Sequence, residues 1–135
     1  MTNLNLALSY FIKAKKRFKI LNILLEENDY SDVIREAQEL VELALKGMLR
    51  YVGIEPPKIH DVGPYLIEYK HLFSKEIQNE VEKLAFISKK LRKERELAFY
   101  GDIDFIPTES YTKEDAIQAI HDAQFVIQIL EYFKI

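Results

Sequence analysis

The chain has 135 residues, 48% of them hydrophobic and 30% charged, with 19 Lys and Arg against 22 Asp and Glu for a formal net charge of −3. That is the material of one globular domain spanning 1–135, with no apolar run near the ~20 residues that cross a bilayer. The absence of cysteine excludes a disulfide framework, a thiolate metal site and a cysteine nucleophile, and the slightly acidic total gives no global attraction for nucleic acid. Met1-Thr2-Asn3-Leu4-Asn5 lacks the basic region and apolar core of a signal peptide, so a cytoplasmic protein without a membrane segment is expected.

The elements follow from periodicity and from the placement of Gly and Pro. Leu4, Ala7, Phe11, Ala14, Phe18, Leu21 and Leu25 alternate threes and fours, which predicts a first helix from Thr2 to Glu26. Asn28-Asp29-Tyr30-Ser31 reads as a turn, with Asp29 or Ser31 capping a second helix that runs to Tyr51. That helix buries Ile34, Ala37, Val41, Ala44 and Met48, with Gly47 permitting a close helix approach. Pro56 and Pro57 end it, and Asp61 caps a short helix through Lys70 with Pro64 in its first turn. Ser74 opens the next helix, which ends near Gly101 at a C-terminal glycine position. Asp102 to Tyr111 reads as irregular loop. Thr112 and Asp115 make a capping box with Asp in place of Glu, and the last helix turns Ala116, Ile120, Ala123, Ile127 and Leu130 inward. The sum is all-α: an up-down four-helix bundle with one short extra helix between the second and third long ones.

One stripe is anomalous. Ile77, Val81, Leu84, Ser88 and Leu91 continue at helical spacing into Arg95 and Ala98, so a permanent cation lies on a buried face. It must find an anion, line a wet groove or meet another chain. On the second helix Arg35, Gln38, Glu42 and Lys46 form one edge, with Gln38 about 60° and Glu42 about 100° from Val41. Glu42 and Lys46 are spaced as an i,i+4 pair, worth ~0.3 kcal/mol if exposed; alternatively, Glu42 reaches across to fix the Arg95 guanidinium. Tyr100 points about 140° away from Arg95 around an unbroken helix, and Asp102 returns towards it if the helix holds. A two-fold dimer packing these helix ends would gather both copies around one groove.

Other features read as scaffold. His60 fits capping and loop hydrogen bonding; His71 and His121 stand alone, and no spacing indicates a metal site or cofactor. Phe11, Phe18, Phe86, Phe99, Phe125 and Phe133 read as core. Two basic runs, Lys13-Lys15-Lys16-Arg17-Lys19 and Lys89-Lys90-Arg92-Lys93-Arg95, are either solvated helix faces or a local nucleic-acid footprint.

The run Ala37-Gln38-Glu39-Leu40-Val41-Glu42-Leu43-Ala44-Leu45-Lys46, then Gly53 and His60-Asp61-Val62-Gly63, resembles a HEPN domain, and Arg95-Glu96-Leu97-Ala98-Phe99-Tyr100-Gly101-Asp102 falls where that family carries its Arg-centred motif. The resemblance covers the whole chain. It implies a homodimeric helical bundle, often paired with a minimal nucleotidyltransferase in a toxin–antitoxin module, and in many members a metal-independent ribonuclease whose Arg is followed after four to six residues by His. Arg95 matches that Arg, but the candidate positions for the His hold Tyr100, Gly101 and Asp102. A phenol ordinarily ionises near pH 10 and is a poor base.

The reading is therefore an RNA- or nucleotide-binding dimer with weak or lost ribonuclease activity. Arg95, Glu42, Lys46, Gln38 and Asp102 are the candidate binding residues, and Arg95 and Tyr100 the candidate catalytic pair. Two alternatives stay open: an active metal-independent ribonuclease toxin using Arg95 and Tyr100, and a structural interaction module in which Arg95 only ties helices together.

Overall fold

The computed structural model describes residues 4–133. Four long helices are present: α1 (Leu4–Glu26), α2 (Tyr30–Tyr51), α5 (Val81–Tyr100) and α7 (Lys113–Ile129). Three short ones, α3 (Gly63–Glu68), α4 (Lys75–Gln78) and α6 (Pro107–Ser110), lie in the connections. The bundle is all-α, and the extra helix expected between the second and third long ones is α3, followed by a 3₁₀ turn at Lys70–Leu72. Thr2, the expected start of α1, lies outside the described residues.

The core is arranged around α2, which packs against α1, α5 and α7. Its buried residues include Val33, Leu40, Leu45 and Leu49 as well as the expected stripe, so it is enclosed on more than one side. Gly47 lies under Phe11, where a Cβ would sit 2.8 Å from Phe11 Cε1. The ring of Phe11 meets Phe133 at 5.2 Å, and Phe133 meets Tyr51 edge-on at 4.8 Å, closing one end of the core.

Several local expectations are corrected. The helix opened by Ser74 is interrupted at Asn79 and Glu80, where the Glu80 N–H bonds Ile77 O at 2.9 Å in an i→i−3 turn, and α5 restarts at Val81. The 102–111 connection is more ordered than a loop. Asp102 and Phe105 exchange backbone hydrogen bonds of 2.9 and 3.0 Å, and Pro107 starts the single turn of α6. Gly101 makes the entry with φ 72°; a Cβ there would lie 2.6 Å from Phe105 O. Phe86 and Phe99 are not core: they are 64% and 52% exposed, while Phe18 and Phe125 are half-buried. On α7 the buried stripe is Ala116, Ala119, Ala123, Val126 and Ile129, leaving Ile120 and Ile127 at its margins. The Thr112–Asp115 capping box is present, with bonds of 3.1 and 2.9 Å.

Asp29 occupies the N-cap position of α2, but its side chain makes no capping bond, and Ser31 is buried within the first turn. Asp29 is instead engaged with Asp32. Their hydrogen bond, burial and mutual repulsion push the Asp32 carboxyl up to about 6. A carboxyl raised by folding contributes stability that is present below its ordinary range and lost as pH rises through its folded value. Asp32→Asn should therefore gain stability relative to the native protein between pH 4 and 7, as read by thermal melts across that window.

Candidate functional site

Arg95 enters α2's polar edge from α5, with its side chain only 13% exposed. Nη1 donates to Gln38 Oε1 and, at 2.7 Å, to Glu39 Oε2, while Glu42 Oε1 stands 4.0 Å away. These contacts run through Nη1, so Nη2 and Nε have no protein partner among the described residues. The backbone is fixed as well. Arg35 Nη1 donates to Arg95 O at 2.9 Å, Arg35 Nε donates to Glu39 at 3.2 Å, and the Arg35 guanidinium lies 4.7 Å over the Phe99 ring.

Glu42 is the hub of this cluster. Its Oε1 accepts from Gln38 Nε2 at 3.0 Å and from His60 Nδ1 at 2.9 Å, and its Oε2 accepts from Lys46 Nζ at 2.9 Å. Burial pushes the carboxyl up. The bonds from Lys46, Gln38 and His60, with the Lys46 charge, outweigh burial and hold it below its ordinary range. Gln38, placed by periodicity at the margin, is buried at 2% exposure, and its amide is oriented by donating to Glu42 while accepting from Arg95. Arg35, Arg95 and Lys46 face Glu39 and Glu42, so the cluster carries an excess of one positive charge before His60 is protonated.

Of the residues singled out in the sequence, Arg95, Gln38, Glu42 and Lys46 therefore come together. Tyr100 and Asp102 do not join them. Tyr100 is 74% exposed with its ring edge-on to Phe99 at 4.9 Å, and Asp102 Oδ1 accepts from the Ile103 N–H at 2.8 Å. Neither makes a hydrogen bond or ion pair with Arg95 among the described residues. Lys46 is spoken for by Glu42 at 17% exposure, which makes it a positioning group rather than an open cation. Glu39 is not among the candidates drawn from the sequence, and His60 is read there as capping or loop hydrogen bonding, without Glu42 as its partner. Glu39 was signalled by its i,i+4 spacing from Arg35. Nothing local signalled His60, because its contact spans 18 residues and a loop.

Half of the ten cations in the basic runs, Arg95 among them, make ion pairs among the described residues. Lys15 meets Glu131 at 3.3 Å, Arg17 meets Glu36 at 2.7 Å, Lys90 meets Asp122 at 2.6 Å and Arg92 meets Glu96 at 2.7 Å. A cavity of about 350 Å³ between α5, α7 and the 105–111 segment is lined by the Lys90–Asp122 ion pair and by Tyr111, whose hydroxyl donates to Glu94 at 2.7 Å. Among the described residues no group of three His, Asp or Glu could hold a metal ion, and no helix is long and apolar enough to cross a membrane.

The family model for the HEPN domain matches residues 7–133. The chain is also similar to the protein named "Putative toxin MJ1304" of Methanocaldococcus jannaschii, at 25% identity over 138 aligned positions covering 97% of this chain and 90% of that one. No solved structure gives a significant match.

Because the Glu42 carboxyl is held low by its partners, it contributes stability that is present above its unfolded range near 4.5 and is lost as pH falls through its lower folded value. Glu42→Gln should cost about 1–3 kcal/mol at pH 7 and much less at pH 3, as read from urea denaturation at the two values.

Proposed function

The chain belongs to the HEPN domain family, and from that premise we propose that it is a dimeric RNA- or nucleotide-binding protein of a toxin–antitoxin module, with a minimal nucleotidyltransferase as its partner and with weak ribonuclease turnover. The observation that carries the binding reading is the Arg95 guanidinium, locked through Nη1 and left with Nη2 and Nε for a ligand. A guanidinium stays charged and matches phosphate oxygens with parallel hydrogen bonds. The excess of cations over carboxylates around it favours an anion.

Weak turnover follows from the placement of Tyr100. Cleavage of RNA by its own 2′-hydroxyl needs a group to remove that proton, stabilisation of the charge developing on phosphorus, and protonation of the leaving oxygen. Arg95 suits the second requirement. Tyr100 lies outside the cluster, turned onto Phe99, so its phenol is not held where it could serve the first or the third. Loss of acid–base help slows such reactions by ~10²–10⁴ while leaving binding intact.

The dimer is supported by an apolar surface next to the cluster. Phe99 and Tyr100 close α5, Ile103 and Ile106 lie in the connection that follows, and the four are exposed by 52, 74, 90 and 44%. Adjacent exposed aromatic and branched side chains of this kind mark contact surfaces in soluble proteins.

Two experiments test this reading. With single-stranded RNA in EDTA, the native protein should bind but cleave little, Arg95→Ala should weaken binding about tenfold or more, and Tyr100→Phe should leave affinity within about twofold. Robust metal-free cleavage abolished by Tyr100→Phe would overturn the weak-turnover reading, and unchanged binding by Arg95→Ala would leave only a structural module. Sedimentation equilibrium at micromolar concentration should give a dimer, and Ile103→Glu should shift it to monomer; a native monomer throughout that range removes the shared surface.

A further inference from the structure

The loop before α3 places a histidine against the Arg95 cluster, and its position is fixed from two directions. Asp61 Oδ1 accepts from the Gly63 N–H at 3.0 Å and from Ser88 Oγ on α5 at 2.7 Å. Gly63 itself lies against α5, where a Cβ would come within 3.0 Å of Ala85 Cα. The loop is therefore seated on α5 about two turns before Arg95. From there His60 Nδ1 reaches Glu42 Oε1 at 2.9 Å, and that same oxygen is 4.0 Å from Arg95 Nη1. One carboxylate oxygen thus bridges the imidazole and the guanidinium.

We infer that His60 is a second anion-contacting residue of this site, whose protonated ring joins Arg95 in holding a phosphate of single-stranded RNA or a nucleotide. The inference rests on the reading of the Arg95 cluster as a phosphate site. An ionised carboxylate can only accept, so Nδ1 carries a proton in either state of the ring, and Nε2 is left without a partner among the described residues. Protonation turns Nε2 from an acceptor into a second charged donor. The His60 side chain is 39% exposed, against 13% for Arg95 and 17% for Lys46, so it is the most accessible of the three basic groups next to Glu42. The charged groups facing the ring are Glu42 on α2, with Lys46 on its other oxygen, Arg95 on α5, and Asp61 on the ring's own loop, turned towards Ser88 and the Gly63 N–H. His71 and His121 are exposed on other elements, the 3₁₀ turn and α7.

The test is fluorescence anisotropy of a labelled single-stranded RNA in EDTA at constant ionic strength, from about pH 8 to about pH 5.5. The native protein should bind about tenfold more tightly at the low end, the value of one added charge-assisted hydrogen bond. His60→Gln should lack the gain, its affinity differing little between the two ends of the range, and the double variant His71→Gln/His121→Gln should keep it. In the native protein, the C2 proton resonance of the His60 ring should shift when the RNA is added. A gain that persists in His60→Gln, an affinity flat with pH while Arg95→Ala still weakens binding, or an unmoved ring resonance overturns the role of His60 and leaves the phosphate site standing. Binding that ignores Arg95 at every pH overturns the phosphate site itself, and His60 with it.

Discussion

The enclosure of α2 governs the rest of the molecule. With α1, α5 and α7 packed against it, little of its circumference faces water, and a polar side chain there must find its partner inside the protein. Gln38 is fully committed in this way, and Glu42 is bonded through both oxygens. The partners come from different parts of the chain: Lys46 from the same helix, Arg95 from α5, His60 from the loop between. The polar cluster is consequently a joint among three elements. Breaking it from one side would strand charge on the others, which is the costly way to disturb a buried ion pair.

The same enclosure shapes what the cluster can do. A fully matched set of charges would be inert scaffold, whereas here Arg35, Arg95 and Lys46 outnumber Glu39 and Glu42 by one. The guanidinium is held by one nitrogen, its backbone carbonyl is pinned by Arg35, and Arg35 is itself braced by Glu39 and Phe99. Such bracing presets the orientation of the charge.

Periodicity made most of the fold legible. Threes and fours placed α1 and α2, and two residues at the right separation disclosed the capping box of α7. The Arg95 stripe was visible because a cation interrupted an apolar row. Where composition replaced spacing, the reading failed. Phe86 stands two residues after Leu84, about 200° around the helix from the buried row, so its own position pointed outward although its ring implied core. The break at Asn79 and Glu80 was invisible because Ile77 and Val81 keep helical spacing across it. The contact of His60 with Glu42 depends on how a loop crosses two helices, and no local pattern encodes that.

Gly101 carries a further consequence. Its left-handed backbone and the close packing of Phe105 and Pro107 over it, with the paired hydrogen bonds from Asp102 to Phe105, tie the turn at both ends. Ile103, 90% exposed, is therefore displayed on a clamped scaffold rather than on a free tail. A surface that covers it would surrender little backbone freedom on contact, and the ordering entropy that opposes most loop-mediated association is already largely met in the isolated fold.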